Sequence, residues 1–333
     1  MKKILVCGIP RSGTTWISSI LSYNESVKYI HEPDNERQNL LGLICKDELS
    51  RFPGLEADDN CERYKTLFEK TYSGYYLEPY GKVSNVIRDL FSIDFEELED
   101  RIQKNTRYTD YGDPEGRLPV FIREELIRAL VLVCSYGSRL KSMIMEGHDT
   151  VILKSVHCLL ALDFLAERLD IDNILFIHRH PAGIISSHIR MGNRDIWRPI
   201  LSNGVWNHPR LRDYREEVGR LENSLSQAGA RISAIYYLVE QYRQRRNFRS
   251  IKYEDICRDK IRQFQELYHE MGLDWRQEIG DYIRELNREG EGYSVQRIAE
   301  EQISKWKREL SPSQVRQIKK GYEIFPLQTE YRF

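Results

Sequence analysis

The sequence predicts a three-layer α/β protein with a mostly parallel central sheet. Short apolar, β-branched runs recur along the chain, helical patterns separate them, and the first run leads through a glycine loop into a helix. At 333 residues and 41% hydrophobic content, the chain can bury roughly three quarters of its unfolded surface. The predicted strands cover residues 3–7, 27–30, 150–153, 173–177 and 248–252.

The first loop has the spacing of a phosphate-binding loop. Gly8 and Gly13 lie five positions apart between the first strand and the first helix, where loop amides and a helix N-terminus bind phosphate. A triphosphate-binding loop carries lysine directly after its second glycine, but Thr14 stands there and Arg11 lies inside the loop. We therefore expect a mononucleotide-type donor and no ATP hydrolysis.

Residues 10–16, Pro-Arg-Ser-Gly-Thr-Thr-Trp, resemble the 5′-phosphosulfate loop of the sulfotransferases that use 3′-phosphoadenosine-5′-phosphosulfate (PAPS). The resemblance implies a P-loop-type fold in which this loop holds the 5′ end of the donor. Its implied donor contacts are Arg11, Ser12, Gly13, Thr14 and Thr15, with Trp16 stacked on the adenine.

A second motif resembles the 3′-phosphate site of the same family. There an apolar strand runs into Arg-Asp-Pro, and a helix places a serine eight residues after the arginine. Here Arg179 and Ser187 have that spacing, and His180 replaces the aspartate. Only Asp195 opposes the surrounding basic side chains, which we expect to form a local cationic cluster. They are His178, His188, Arg190, Arg194 and Arg198.

Two weaker motifs follow in the family's order. Tyr253 opens Tyr-Glu-Asp after the last strand, and the resemblance implies that it contacts the adenine. Residues 304–310 resemble the late Trp-Lys/Arg-x-x-Leu region, near which a basic residue closes over the 3′-phosphate. Arg297 is the candidate for that role.

Glu32 is the first candidate for a general base. It follows the strand at 27–30, and Pro33 favours an extended conformation for it, which places its carboxylate at the sheet edge where ligands bind. Carbohydrate-type sulfotransferases similarly carry Glu-Pro shortly after the loop. A glutamate base calls for a mildly raised pKa.

Lys154 and His157 follow the strand at 150–153. Lys154 is expected to face the same crevice as Arg11, so that both cations stabilise the leaving oxygen. His157 comes one residue later than the histidine in the Lys-Thr-His of cytosolic-type sulfotransferases, and it is the alternative base.

We predict a single domain over residues 1–333. Residues 38–119 are rich in charges, turn residues and tyrosines, and we expect helices and loops there, inserted for acceptor recognition. Residues 120–145 have helical apolar spacing. The composition does not predict an oligomeric state.

Composition argues against several partners and locations. The formal charge of −1 gives no basic field for nucleic acid or membrane. No apolar run is long enough to span a bilayer, and the N-terminus lacks the pattern of an export signal. The six scattered cysteines have no metal-ligand spacing. We therefore expect a cytoplasmic protein with reduced thiols.

Together these patterns predict transfer of a sulfuryl group from PAPS to a hydroxyl or amine, with release of adenosine 3′,5′-bisphosphate. The acceptor class, whether glycan, lipid, peptide or small molecule, stays open. No metal is expected, because the donor has no β- and γ-phosphates to bridge. Two alternatives remain: a P-loop kinase for a small molecule, and a nucleotide-binding protein without catalytic activity.

Overall fold

A computed structural model describes most of the chain. The described residues are 1–35, 39–46, 49, 51–74, 147–192, 206, 208–242, 247–289, 295–328 and 331–333. Their five strands form one parallel sheet in the order β2-β3-β1-β4-β5. The strands are β1 (Lys2–Gly8), β2 (Val27–His31), β3 (Thr150–Ser155), β4 (Asn173–His178) and β5 (Phe248–Lys252). All five predicted strands are confirmed.

Helices cover both faces of this sheet. They are α1 (Thr14–Leu21), α2 (Leu40–Cys45), α3 (Glu62–Tyr72), α4 (Leu162–Arg168), α5 (Pro181–Arg190), α6 (Arg215–Gly219), α7 (Ser224–Glu240), α8 (Tyr253–Arg258), α9 (Lys260–Glu270), α10 (Gln277–Leu286), α11 (Ala299–Glu309) and α12 (Pro312–Tyr322). Two 3₁₀ turns lie at Cys158–Leu160 and Pro209–Tyr214.

The hydrophobic core has two layers, separated by the sheet. Successive β1 side chains alternate between them: Leu5 and Cys7 pack with α4, α5, α7 and α12, whereas Ile4 and Val6 pack with α1, α8, α9 and α10. Side chains of a strand point to alternate faces, so a strand that is apolar on both faces lies between two layers of helices. The predicted three-layer α/β architecture is confirmed.

Sequence signals for helix ends agree with the structure. Pro181 is the first residue of α5, where its missing N–H costs no hydrogen bond. Ser311 caps α12 and forms a capping box with Gln314.

Helices α2 and α3 lie within residues 38–119, but residues 75–146, including the predicted helix at 120–145, fall outside the described part. The insertion and the single domain over 1–333 stay predictions.

Across the described ranges, no helix is both long and apolar enough to cross a membrane. The cysteines in these ranges are free thiols. The cytoplasmic location stays a prediction.

Candidate active site

The predicted site residues lie at the carboxyl edge of the sheet. β3 lies between β2 and β1, and Lys154 pairs in register with His31 on one side and with Val6 on the other. On the far side of β1, Arg179 follows β4 directly, and Tyr253 follows β5 directly. Parallel strands end at one edge, so this edge brings together motifs that are distant in sequence.

The glycine loop winds tightly between β1 and α1. Gly13 has a φ of +94°, and a Cβ there would lie 2.4 and 2.5 Å from carbons of the Tyr253 ring. Glycine is therefore required both by the backbone conformation and by the contact with Tyr253. Arg11 also has a positive φ, of 74°. Thr14 and Thr15 begin α1, so the predicted donor contacts lie at this helix's N-terminus.

The two predicted phosphate motifs contact each other directly. The Arg179 side chain donates from Nη1 to the carbonyl oxygen of Arg11 at 2.6 Å, and Arg11 donates from Nε to Ser187 Oγ at 3.0 Å. The Arg179 backbone is held by Tyr236, whose hydroxyl accepts from its N–H at 2.9 Å and donates to its carbonyl at 2.7 Å. The sequence did not indicate this role for Tyr236 on α7, because the pattern around it predicts only the apolar face of a helix.

Two buried donor groups in this region make no hydrogen bond within the described residues. Within the part of the chain that the structure describes, Ser12 Oγ and Arg179 Nε are buried and have no hydrogen-bond partner. Buried donors normally have partners. Hydrogen-bond donors beside a loop of phosphate-binding spacing fit an anionic phosphate group.

The predicted adenine-binding aromatic residues are buried. Trp16 is 2% exposed and packs edge-on against Tyr253 and Phe264. The guanidinium of Arg179 lies 4.7 Å from the Tyr253 ring centroid, and that of Arg297 lies 5.6 Å from the Trp16 centroid. Burial raises the pKa of Tyr253 to about 12. Arg297 thus lies beside the aromatic pair, and the adenine contacts stay a prediction.

The carboxylate of Glu32 is surrounded by hydrogen-bond donors. Lys154 Nζ contacts Oε1, and Asn35 Nδ2 donates to Oε2 at 2.8 Å. The Nε2 atoms of His157 and His31 lie 3.6 Å from Oε2 and 3.8 Å from Oε1, respectively. These side chains come from two segments that are distant in sequence, residues 31–35 and 154–157, and Glu32 joins them electrostatically.

The pKa of Glu32 lies well below its ordinary value. Burial alone raises this pKa, but the hydrogen bond with His157 and the charge of Lys154 outweigh the effect of burial. The expected mild rise was wrong, because the sequence did not show how many donors converge on the carboxylate. Glu32 is therefore ionised at neutral pH.

The backbone at Glu32 also differs from the prediction. Its φ is +45°, whereas the following Pro33 predicts an extended conformation. Two hydrogen bonds close this turn: Glu32 N–H donates to the Lys154 carbonyl at 2.6 Å, and Asn35 N–H donates to the Glu32 carbonyl at 3.0 Å. A non-glycine residue with positive φ costs about 1–3 kcal/mol, which the surrounding contacts offset.

Contacts of both its ring and its backbone hold His157 in place. Its ring stacks on Phe52 at a centroid distance of 5.0 Å, and Arg51 Nε lies 3.5 Å from its Nδ1. The backbone N–H of His157 donates to Ser155 Oγ at 3.0 Å. That hydroxyl donates in turn to the buried carboxylate of Asp34 at 2.6 Å. Asp34 was missed by sequence reasoning, although it lies two residues after Glu32.

Asp34 connects, by hydrogen bonds, the segment that carries Glu32 with the segment that carries His157. It also accepts a hydrogen bond at 3.0 Å from the hydroxyl of Tyr64 on α3, and its own carbonyl accepts from Lys46 Nζ at 2.8 Å. Lys46 Nζ donates as well to the carbonyl of Arg51 at 2.8 Å. These bonds hold the Glu32 turn, the His157 turn and the segment at 51–52 in fixed relation.

The predicted cationic cluster is corrected in part. Burial lowers the pKa of His188 to about 4, so it is neutral at physiological pH. Arg190 forms an ion pair with Glu309 on α11. Arg194 and Arg198 lie outside the described residues.

His180, which stands where the resembled motif has aspartate, is the N-cap of α5. Its Nδ1 accepts from the N–H of Ala182 at 3.2 Å, and its Nε2 contacts the carbonyl of Arg332 at 3.0 Å. A carbonyl only accepts, so Nε2 carries the proton and the ring is neutral. Burial accordingly lowers the pKa of His180 to about 4. The neutral imidazole thus caps the helix and brings no negative charge beside Arg179.

Comparison with known families decides between the predicted functions. The sequence profile of the sulfotransferase family matches residues 3–277, which is most of the chain. The chain belongs to the sulfotransferase family. Members of this family transfer a sulfuryl group, typically from PAPS, so the predicted activity is confirmed and the kinase alternative is set aside.

This sulfotransferase is also similar to two solved structures. One is a sulfotransferase domain from the curacin biosynthetic pathway, with 14% identity, a TM-score of 0.44 and 98% coverage of both chains. The other is a sulfotransferase domain from the Synechococcus PCC 7002 olefin synthase, with 13% identity, a TM-score of 0.41, and coverage of 96% of this chain and 94% of that one. A sequence search among curated proteins found no significant match.

The lowered pKa of Glu32 predicts a pH-dependent contribution to stability. A carboxyl whose pKa is lower in the folded than in the unfolded state stabilises fully above the unfolded value, about 4.3 for Glu, and less as pH falls below it. We expect Glu32→Gln to reduce the free energy of unfolding by about 3 kcal/mol at pH 7. Below about pH 4.3 that difference should shrink by about 1.4 kcal/mol per pH unit.

Urea denaturation at pH 7 and at lower pH measures the effect. Glu216→Gln is the control, because Glu216 lies in an exposed pair with Arg220 and should change stability little at any pH. A difference for Glu32→Gln that does not depend on pH would contradict the assigned ion pair.

Proposed function

We propose that this sulfotransferase binds PAPS across the carboxyl edge of its sheet and transfers the sulfuryl group to a hydroxyl or amine. The observation that carries the proposal is the direct contact between the two phosphate motifs, in which Arg179 donates to the Arg11 carbonyl and Arg11 to Ser187. The loop would hold the 5′ end of the donor, and Arg179 with Ser187 would hold the 3′-phosphate. Arg297 lies beside Trp16 and Tyr253, near the proposed adenine site.

Positive charge at this edge suits the leaving group. Sulfuryl transfer breaks the bond between sulfur and the bridging phosphate oxygen, so negative charge grows on that oxygen. Arg11 in the loop and Lys154 at the end of β3 are the cations proposed to stabilise it. Both are held by neighbouring side chains, so they need little reorganisation as the charge develops.

Glu32 is the proposed general base. The acceptor must lose a proton as its new bond to sulfur forms, and Glu32 is ionised and therefore able to accept it. Lys154 forms an ion pair with Glu32. With PAPS bound, Lys154 would share its charge between Glu32 and the donor, which raises the basicity of Glu32 when a base is needed.

The geometry favours Glu32 over His157. His157 presents Nε2 toward Glu32 at 3.6 Å and Nδ1 toward Arg51 Nε at 3.5 Å. Because Nδ1 faces a donor, Nε2 is the nitrogen that directs an N–H to the carboxylate. We therefore propose that His157 orients Glu32.

The acceptor remains the least specified part of the proposal. The chemistry requires a hydroxyl or amine near Glu32, and residues 38–119 are proposed to select it. A glycan, a lipid, a peptide and a small molecule all meet that requirement. Divalent metal is not expected to be needed, because cationic side chains take the place it has in triphosphate chemistry.

Calorimetric titration with adenosine 3′,5′-bisphosphate tests the donor site. We expect a Kd on the order of 1–10 μM in EDTA. Arg179→Ala should weaken it by about thirtyfold or more, since a charged hydrogen bond to phosphate is lost.

Arg190→Ala is the matched control for that titration. Arg190 lies on the same helix but pairs with Glu309, so its loss should leave the Kd unchanged. Binding of ATP with Mg²⁺ but not of the bisphosphate would contradict the proposal, as would equal effects of the two substitutions.

Turnover tests the assignment of the base. Glu32→Gln should lower kcat by about a hundredfold or more without changing the Kd of the bisphosphate, because the base is lost and the phosphate contacts stay. His157→Asn should have a smaller effect. The assay follows transfer of ³⁵S from labelled PAPS to a panel of alcohols, phenols, sugars and amines. A larger loss for His157→Asn than for Glu32→Gln would reverse the assignment.

A further inference from the structure

A second side chain of α5 next to Ser187 contacts the glycine loop. His188 Nε2 lies 3.2 Å from the carbonyl oxygen of Pro10, the residue before Arg11. Because a carbonyl only accepts, Nε2 carries the ring proton and donates it. The sequence suggested only that His188 was one cation of a cluster, and neither of the phosphate motifs assigns it a role.

His188 lies inside the protein, beside two cations. It is fully buried, and the charged groups that face it are Arg11 and Arg179. An imidazolium here would be repelled by both guanidinium groups and would lose its hydration. The side chain therefore acts as a neutral hydrogen-bond donor and brings no charge to the phosphates.

The contact lies where the loop conformation is least favourable. Arg11 has a φ of +74°, and a non-glycine residue keeps such a conformation only when its surroundings hold it. The Pro10 carbonyl belongs to the peptide group that precedes this φ angle, and the Arg11 carbonyl lies after it. His188 holds the first carbonyl, and Arg179 holds the second at 2.6 Å.

These two contacts hold the peptide groups on both sides of Arg11. The Arg11 side chain is held as well, because its Nε donates to Ser187 Oγ at 3.0 Å. Arg179, Ser187 and His188 therefore determine where the guanidinium of Arg11 lies.

We infer that His188 is a positioning residue for the donor-binding loop. Through the Pro10 carbonyl it keeps Arg11 in its left-handed conformation, and so keeps the loop amides and the Arg11 side chain arranged for the 5′ end of the donor. It does not touch the donor itself. The inference rests on the proposed donor site.

The test compares two substitutions of His188 in the full chain by titration with adenosine 3′,5′-bisphosphate. His188→Leu fills the space but cannot donate, and we expect the Kd to rise about tenfold. His188→Gln keeps an N–H donor at the reach of Nε2, and we expect a Kd within about twofold of the unchanged protein. Rescue by glutamine separates a hydrogen-bonding role from simple packing.

His208→Leu is the matched control. His208 is also buried and has a pKa lowered to about 4, but it caps the 3₁₀ turn at Pro209–Tyr214 and lies beside Glu56. We expect a lower thermal midpoint with an unchanged Kd. If His188→Leu does not fold, His188→Asn, whose shorter amide does not reach Pro10, takes its place with the same expected rise.

The outcomes distinguish this inference from the proposed function. If the unchanged protein does not bind the bisphosphate, the donor site itself is wrong. If it binds and a folded His188→Leu or His188→Asn variant binds equally well, the positioning role is overturned. A glutamine variant that binds as weakly as the leucine variant also overturns it, because packing would then explain the loss.

Discussion

The central position of β1 in the sheet is the constraint on which the site depends. β3 lies on one side of it and β4 on the other, so the glycine loop that follows β1 emerges between the ends of both neighbours. One side brings Glu32, Lys154 and His157, which form the proposed acid–base group. The other side brings Arg179, with Ser187 on the helix that follows. A parallel sheet with this strand order thus places the proposed base and the proposed phosphate contacts on opposite sides of the loop.

Burial and the neighbouring charges determine which titratable side chains of the site are ionised. A buried ion pair loses hydration and adds little net stability, whereas removal of one partner leaves an uncompensated charge. Lys154 and Glu32 are such a pair, and the charge of Lys154 helps to lower the pKa of the Glu32 carboxyl, so that the carboxylate stays ionised. Burial has the opposite effect on His180 and His188, which it keeps neutral. The site therefore carries less positive charge than the number of basic residues in its sequence suggests, because two of its histidines are neutral.

The sequence predicted the strands and the phosphate motifs because these depend on local patterns: apolar runs, glycine spacing and a proline at a helix start. It could not predict the turn at Glu32, because a hydrogen bond to Lys154, 122 positions away in sequence, overrides the local preference that Pro33 imposes. The lowered pKa of Glu32 has the same origin. Tyr236 and Asp34 were missed, and His188 was expected to be a cation, for a related reason: each acts on a segment distant in sequence. His180 was recognised as a departure from the family motif, but only its contacts show that the imidazole caps α5.

A crystal structure of the complex with adenosine 3′,5′-bisphosphate tests most directly whether the motifs form one donor site. We predict the 5′-phosphate on the amides of the glycine loop, the 3′-phosphate against Arg179 and Ser187, and Glu32 at the open end beyond the 5′-phosphate, where the sulfuryl group would extend. A nucleotide bound in the reverse direction, or one that contacts the loop but not α5, would contradict the proposed arrangement of donor and base.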